Sequence, residues 1–156
     1  MFEKLIAFFS NPSTYEKPMP KADRDNVIGA LMVQTAKADR AYFFEETETI
    51  HRVLSERHNI GPIDAAKMCA TCERLEEVMP DTVELAAILR EAVGTDELED
   101  ALRALWRIAF AYGIERDEQD AFLHKVEAML GVTPERAKAL HDEVISTKLD
   151  LVKIHS

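Results

Sequence analysis

The sequence predicts an all-α protein, a helical bundle of two pseudo-symmetric halves that each contain a helix-turn-helix, with about seven to eight helices in total. Apolar residues recur at helical spacing in successive segments, and capping or helix-breaking residues bound those segments. No segment alternates apolar and polar residues between turn signals, as a half-buried strand would. With 156 residues, 47% of them hydrophobic, the chain is long enough to enclose one globular core.

Residues 1–21 are predicted to lie outside the main helical domain. Residues 2–10 carry phenylalanines and aliphatic residues along most of one side, which favours a short helix. Residues 11–21 contain three prolines and indicate an extended linker. We expect the helical domain to span residues 22–156. The short helix either docks on that domain or contacts a membrane surface through residues 1–10.

The boundaries of the predicted helices follow from local signals. Pro62 and Pro134 suit the first position of a helix. Asp81 and Glu84 have the spacing of a capping box, and Gly94 interrupts the chain before the next apolar stretch. The predicted spans, in order, are 22–37, 43–57, 62–79, 82–93, 96–112, 117–130 and a last long helix that begins at residue 134.

Two stretches of the chain match one another at a nearly constant separation. Met32 pairs with Leu105, and Ala36 pairs with Ala109 at the same separation. We therefore expect two three-helix units, joined by the helix over residues 82–93, with their central apolar helices buried against each other. After the turn, the separation in sequence of the matching residues is one residue smaller, which makes the second turn shorter than the first. The later pairs are Glu46 with Glu118, Ile50 with Phe122, Leu54 with Val126 and Pro62 with Pro134.

Carboxylates gather at the two turns that precede the repeated helix. Asp39 and Glu46 flank the first turn, and Glu115, Asp117 and Glu118 occupy the second. Hard cations such as Ca²⁺ and Mg²⁺ take several oxygen ligands from a short loop, so these five residues are the candidate metal ligands. The alternative is that carboxylates in a first helical turn stabilise the helix macrodipole and need no ligand.

Composition excludes some classes of protein. The formal net charge is -10, from 19 basic and 29 acidic side chains, whereas nucleic-acid binding needs a basic face. No apolar run approaches the roughly 18 residues of a membrane span, and the N-terminus lacks the basic region of a secretory signal. We expect a cytoplasmic protein that binds a protein partner but no nucleic acid. The oligomeric state, monomer or homodimer, is left open.

Cys69 and Cys72 form a C-x-x-C pattern on the apolar face of a predicted helix. A zinc site would need two further ligands at suitable spacing, and a thioredoxin-like motif would need a βα unit. We expect two small buried side chains, with a redox or metal role as the alternative. No nucleophile–base arrangement, glycine-rich phosphate loop or paired-acid signature occurs, so an enzyme is not expected.

At its two turns the chain resembles the tellurite-resistance protein B (TerB-like) family. The family motif is Ala-Asp-Gly, a few residues and then Glu, at a helix–turn–helix. Its two copies correspond here to Ala38–Glu46 and Ala111–Glu118, and the segment MLGVTPERAKAL is also similar. The resemblance covers Asp25 to Val144. It implies an all-helical fold of two related halves and an association with tellurite and stress responses.

The two copies depart from the motif at one position each. Arg40 stands where the first glycine would be, and Tyr112 replaces the second aspartate. The resemblance implies divalent-cation ligands at Asp39, Glu46 and Glu118. We therefore expect a non-enzymatic, cytoplasmic TerB-like domain, a protein-interaction or stress-response module with weak divalent-cation binding at its acidic turns. The alternative function is a peripheral membrane adaptor that uses the N-terminal helix.

Overall fold

The computed structural model describes residues 19–39, 42, 44–111 and 116–155, with side chains to Thr147. These residues form seven α-helices and contain no strand, so the predicted all-α class is confirmed. The helices are α1 (Arg24–Lys37), α2 (Phe44–His58), α3 (Pro62–Val78), α4 (Thr82–Ala92), α5 (Thr95–Ala109), α6 (Asp117–Met129) and α7 (Pro134–His155).

The N-terminal helix, the linker and the membrane contact through residues 1–10 fall outside the described residues and stay predictions. The division of the chain at residue 21 is likewise a prediction. Among the helices that are described, none combines the length and the apolarity that a membrane-spanning segment needs.

Local interactions explain where the helices begin. Asp23 caps α1 by accepting a hydrogen bond from the backbone N–H of Asn26 at 2.9 Å. Asp81 caps α4 in the same way, through the N–H of Val83 at 3.0 Å. The two predicted N-terminal prolines begin α3 and α7, where the missing proline N–H would have had no helical partner. Short-range chemistry therefore sets these boundaries close to their predicted positions.

Helix α1 lies at the centre of the bundle. Every residue from Val27 to Val33 is buried. The helix packs against α2, α3, α4, α5 and α6, so its apolar surface is covered on all sides. A helix that is apolar all round is stable only in such a position, because an exposed side would leave apolar area in water.

Contacts between helices follow a two-fold pattern. Helices α1, α2 and α3 pack against one another, and so do α5, α6 and α7. Between the two halves, the contact of α2 with α5 matches that of α6 with α1. The central helices α1 and α5 pack against each other, as expected from the repeat. Helix α4 joins the halves and packs against α1 and α6.

The pattern of buried residues aligns α2 with α6. Equivalent buried positions in these two helices are separated by the same number of residues as Met32 and Leu105. The predicted pairing of Glu46 with Glu118 is therefore wrong by a single position, because Glu118 is exposed and its neighbour Gln119 is buried. The matching buried pairs are Glu46 with Gln119, Ile50 with Leu123, Val53 with Val126 and Leu54 with Glu127.

The difference in length between the halves falls after these helices rather than before them. Asn59 and Gly131 hold equivalent places just beyond the ends of α2 and α6. Their separation in sequence is one residue smaller than that of the buried pairs within these helices. Both have positive φ, 52° and 76°, a conformation that asparagine and glycine tolerate best. Left-handed residues are common just beyond a helix end, so the shared conformation supports this alignment.

Gly29 allows α1 and α3 to approach closely. A Cβ atom at this position would lie 2.9 Å from the Cβ of Cys72 and closer still to its Sγ. Cys69 and Cys72 are fully buried, which confirms the prediction for these two side chains. Burial raises the pKa of each thiol to about 12, so little reactive thiolate forms near neutral pH.

Replacing Gly29 with alanine should destabilise the protein. Overpacking a well-filled core typically costs about 1–3 kcal/mol, which exceeds the gain of about 1 kcal/mol in helix propensity. We expect urea denaturation to show a lower free energy of unfolding for Gly29→Ala. Gly61→Ala is the control because no atom lies within 4 Å of a Cβ there. Equal losses in the two variants would contradict the close approach.

Candidate functional site

Three polar residues are buried where α1, α2 and α6 meet. Thr35 is inaccessible to solvent, Glu46 is 1% exposed and Gln119 is 2% exposed. The Gln119 Nε2 donates to Glu46 Oε2 at 2.9 Å and also lies 3.2 Å from the carbonyl oxygen of Thr35. Because Glu46 and Gln119 are equivalent residues of the two halves, this hydrogen bond crosses the pseudo-two-fold axis.

An ion pair joins the same two turns at the edge of this cluster. The Arg116 Nη1 donates to Asp39 Oδ2 at 2.6 Å. The Asp39 side chain is 7% exposed and that of Arg116 is 33% exposed, so water screens the pair only in part. Asp39 follows α1 and Arg116 is the N-cap residue of α6. The two contacts together connect the first acidic turn to the start of α6.

The structure brings two of the five predicted metal ligands into this cluster. Asp39 and Glu46 belong to it, whereas Asp117 and Glu118 are exposed in the first turn of α6. Glu115 lies outside the described residues. In the parts of the chain that the structure describes, no group of three or more His, Cys, Asp or Glu side chains is placed to hold a metal ion.

The cluster does not fit a ready-made cation site. The positively charged guanidinium of Arg116 stands next to Asp39, where a hard cation would need negatively charged or neutral oxygen atoms. The inward neighbour of Glu46 is the neutral amide of Gln119 rather than a second carboxylate. As arranged, these side chains connect the two halves through hydrogen bonds and the ion pair of Arg116 with Asp39.

Sequence reasoning missed Gln119, Arg116 and Thr35 as members of the cluster. A search for internal repeats that kept one constant separation through α2 would have paired Gln119 with Glu46. No local pattern marks Arg116, because its partner Asp39 lies 77 residues away. Thr35 contributes its backbone carbonyl, while its hydroxyl donates to the carbonyl of Leu31 at 2.8 Å. Such a main-chain contribution has no sequence signature.

Replacing Gln119 with glutamate should destabilise the protein in a pH-dependent way. A second buried carboxylate beside Glu46 would repel it, and one of the two would take a raised pKa. A raised carboxyl pKa lowers stability at neutral pH, and the loss shrinks as the pH falls and the pair gains a proton. We expect a loss of about 3 kcal/mol at pH 7.5, the scale reported for broken buried ion pairs, and a smaller loss at pH 5.

Chemical denaturation at the two pH values measures this effect. Ala121→Glu adds the same charge at an exposed position of the same helix and should change stability little at either pH. A loss for Gln119→Glu that does not depend on pH would show that repulsion between the carboxylates is not its cause.

Comparison with known proteins agrees with this architecture. The chain matches the family model described as Tellurite resistance protein TerB over residues 25–142. Searches of curated proteins and of solved structures found no match. The matched residues cover well over half of the 156-residue chain and include both halves and the polar cluster. The chain therefore belongs to the TerB family of tellurite-resistance proteins.

Proposed function

We propose that this chain is a non-catalytic helical module of the tellurite or stress response, and that it works in the cytoplasm by binding another protein. Membership of the TerB family supports the link to tellurite. The main structural support is that the acidic residues beside the first turn contact residues of the other half. Asp39 and Glu46 are held by Arg116 and Gln119 at 2.6 and 2.9 Å, an arrangement suited to joining two halves rather than to activating a nucleophile.

The surface charge supports a partner with a basic face. The chain has a formal net charge of -10. Asp117 and Glu118 extend this acidity into exposed positions next to the cluster. Complementary charge speeds association and selects against acidic partners. A basic surface docked at the start of α6 would therefore lie beside the contacts that connect the two halves.

Deleting the gene should lower the tellurite concentration at which growth of the host stops, and the wild-type gene should restore it. The double variant Asp117→Asn, Glu118→Gln should restore growth less well, because it removes charge from the proposed contact region. Glu84→Gln together with Glu91→Gln is the control, since it removes two exposed charges from α4 instead. A deletion strain with unchanged tolerance would contradict the link to tellurite.

We propose further that Asp39 and Glu46 bind Ca²⁺ or Mg²⁺ weakly, by displacing Arg116. A unit charge about 4 Å away opposes a divalent cation by up to ~8 kcal/mol at an effective dielectric constant of ~20, twice the value for two unit charges. We therefore expect millimolar affinity in the wild type and at least about tenfold tighter binding in Arg116→Gln. Isothermal titration calorimetry measures both.

Two further variants test whether the heat of titration comes from a cation bound at Asp39 and Glu46. Arg107→Gln removes a guanidinium that pairs with the exposed Glu56, at 2.6 Å, and should leave cation affinity unchanged. Asp39→Asn should abolish binding. Absence of heat in both the wild type and Arg116→Gln at millimolar Ca²⁺ and Mg²⁺ would remove the cation from the proposed function.

A further inference from the structure

A cavity of about 580 Å³ lies between α6 and α7, apart from the polar cluster described above. Its size falls in the range of roughly 300–1,000 Å³ that small-molecule sites occupy. Apolar residues near the start of α7 form part of its wall. Its polar lining comes from both helices and consists of Asp120, His124, Glu127, Lys138, His141 and Asp142.

Glu127 is the buried charge of this cavity, with 5% of the residue exposed. Its Oε2 accepts a hydrogen bond from Trp106 Nε1 at 3.1 Å, and its Oε1 lies 3.0 Å from His124 Nδ1. The His141 ring meets Trp106 edge-on, with ring centroids 4.5 Å apart. A carboxylate accepts about four hydrogen bonds, so Glu127 can still receive donors from a ligand.

The first half of the chain shows that the fold does not require these polar groups. It places three fully or almost fully buried apolar side chains at the equivalent positions. Burying a carboxylate costs free energy unless it is well paired, so apolar packing is the simpler solution. The second half therefore carries chemistry beyond the needs of packing. The equivalent pairs are Val33 with Trp106, Leu54 with Glu127 and Cys69 with His141.

The charges of the lining select a cationic ligand. Counted with histidine neutral, the lining carries three carboxylates and one ammonium group, that of Lys138, which pairs with Asp142 at 2.7 Å. Asp120 and Glu127 lie about two turns apart on the same side of α6, and both line the cavity. The described residues hold no three-ligand metal arrangement, so recognition by charge and aromatic contact fits the cavity better than coordination.

We propose that this cavity binds a guanidinium group, carried by an arginine side chain or by a small guanidinium compound. A guanidinium is planar, donates five hydrogen bonds to carboxylates and stacks on aromatic rings. The cavity supplies the carboxylates of Asp120 and Glu127 and the imidazole rings of His124 and His141. This inference does not depend on the proposed function, because a free guanidinium compound would use the same groups.

The single tryptophan of the chain gives a local readout, since one indole N–H signal reports on the cavity. The full-length protein, labelled with ¹⁵N, is titrated with N-acetyl-arginine amide and with agmatine, which represent the side chain and the free compound. We expect the Trp106 indole signal to shift and saturate with both, and the tighter ligand identifies the source. N-acetyl-citrulline amide, a neutral isostere, should cause no shift.

Variants test the two carboxylates. Glu127→Gln keeps an acceptor for Trp106 but removes the charge, and Asp120→Asn removes the second charge. Each should weaken arginine amide binding by about tenfold or more, the scale of one charge-assisted hydrogen bond. Glu135→Gln, which removes an exposed charge of α7 that does not line the cavity, should bind like the wild type.

The inference is overturned if the wild-type indole signal does not shift at millimolar ligand. It is also overturned if the citrulline amide shifts that signal as strongly as the arginine amide does. Equal affinity of Asp120→Asn and the wild type would count against it as well. Thermal denaturation shows whether each variant folds. If Glu127→Gln does not fold, the affinity of Asp120→Asn for the arginine amide is the deciding measurement.

Discussion

The architecture depends on the complete burial of α1. Since every residue from Val27 to Val33 is buried, each neighbouring helix must cover part of its surface. The close approach of α3 requires Gly29, because a Cβ there would meet Cys72. The carbonyl of Thr35 lies at the end of the same helix and receives Gln119 from the other half. Packing around α1 thus positions the polar cluster.

The two halves use one framework for different chemistry. At the pseudo-two-fold axis, Glu46 and Gln119 occupy equivalent positions and form a hydrogen bond. Farther along α2 and α6, Leu54 completes an apolar core while Glu127 lines a cavity. Helices α1 and α5, which are equivalent in the two halves, pack against each other. The side chains at equivalent positions can then differ, because each half supplies enough apolar area around them.

Much of the fold was predictable, and the candidate site was predictable only in part. The capping of α4 by Asp81 and the prolines that begin α3 and α7 act over a few residues, so they can be read locally. Asp39 follows α1 and Glu46 lies in the first turn of α2, as expected, whereas their role as metal ligands stays a prediction. Glu118 was paired wrongly with Glu46, because an amphipathic pattern changes little when the compared helices slide by a single position.

By itself the sequence determined the fold class, the approximate helix boundaries and the existence of two related halves. These depend on periodicity, capping and turn residues, which act between near neighbours in the chain. Tertiary structure decided which polar groups meet. Arg116 reaches Asp39, and Gln119 reaches Glu46, across about half the length of the chain. The position of each partner depends on how all the helices pack around α1, so no local pattern specifies such pairs.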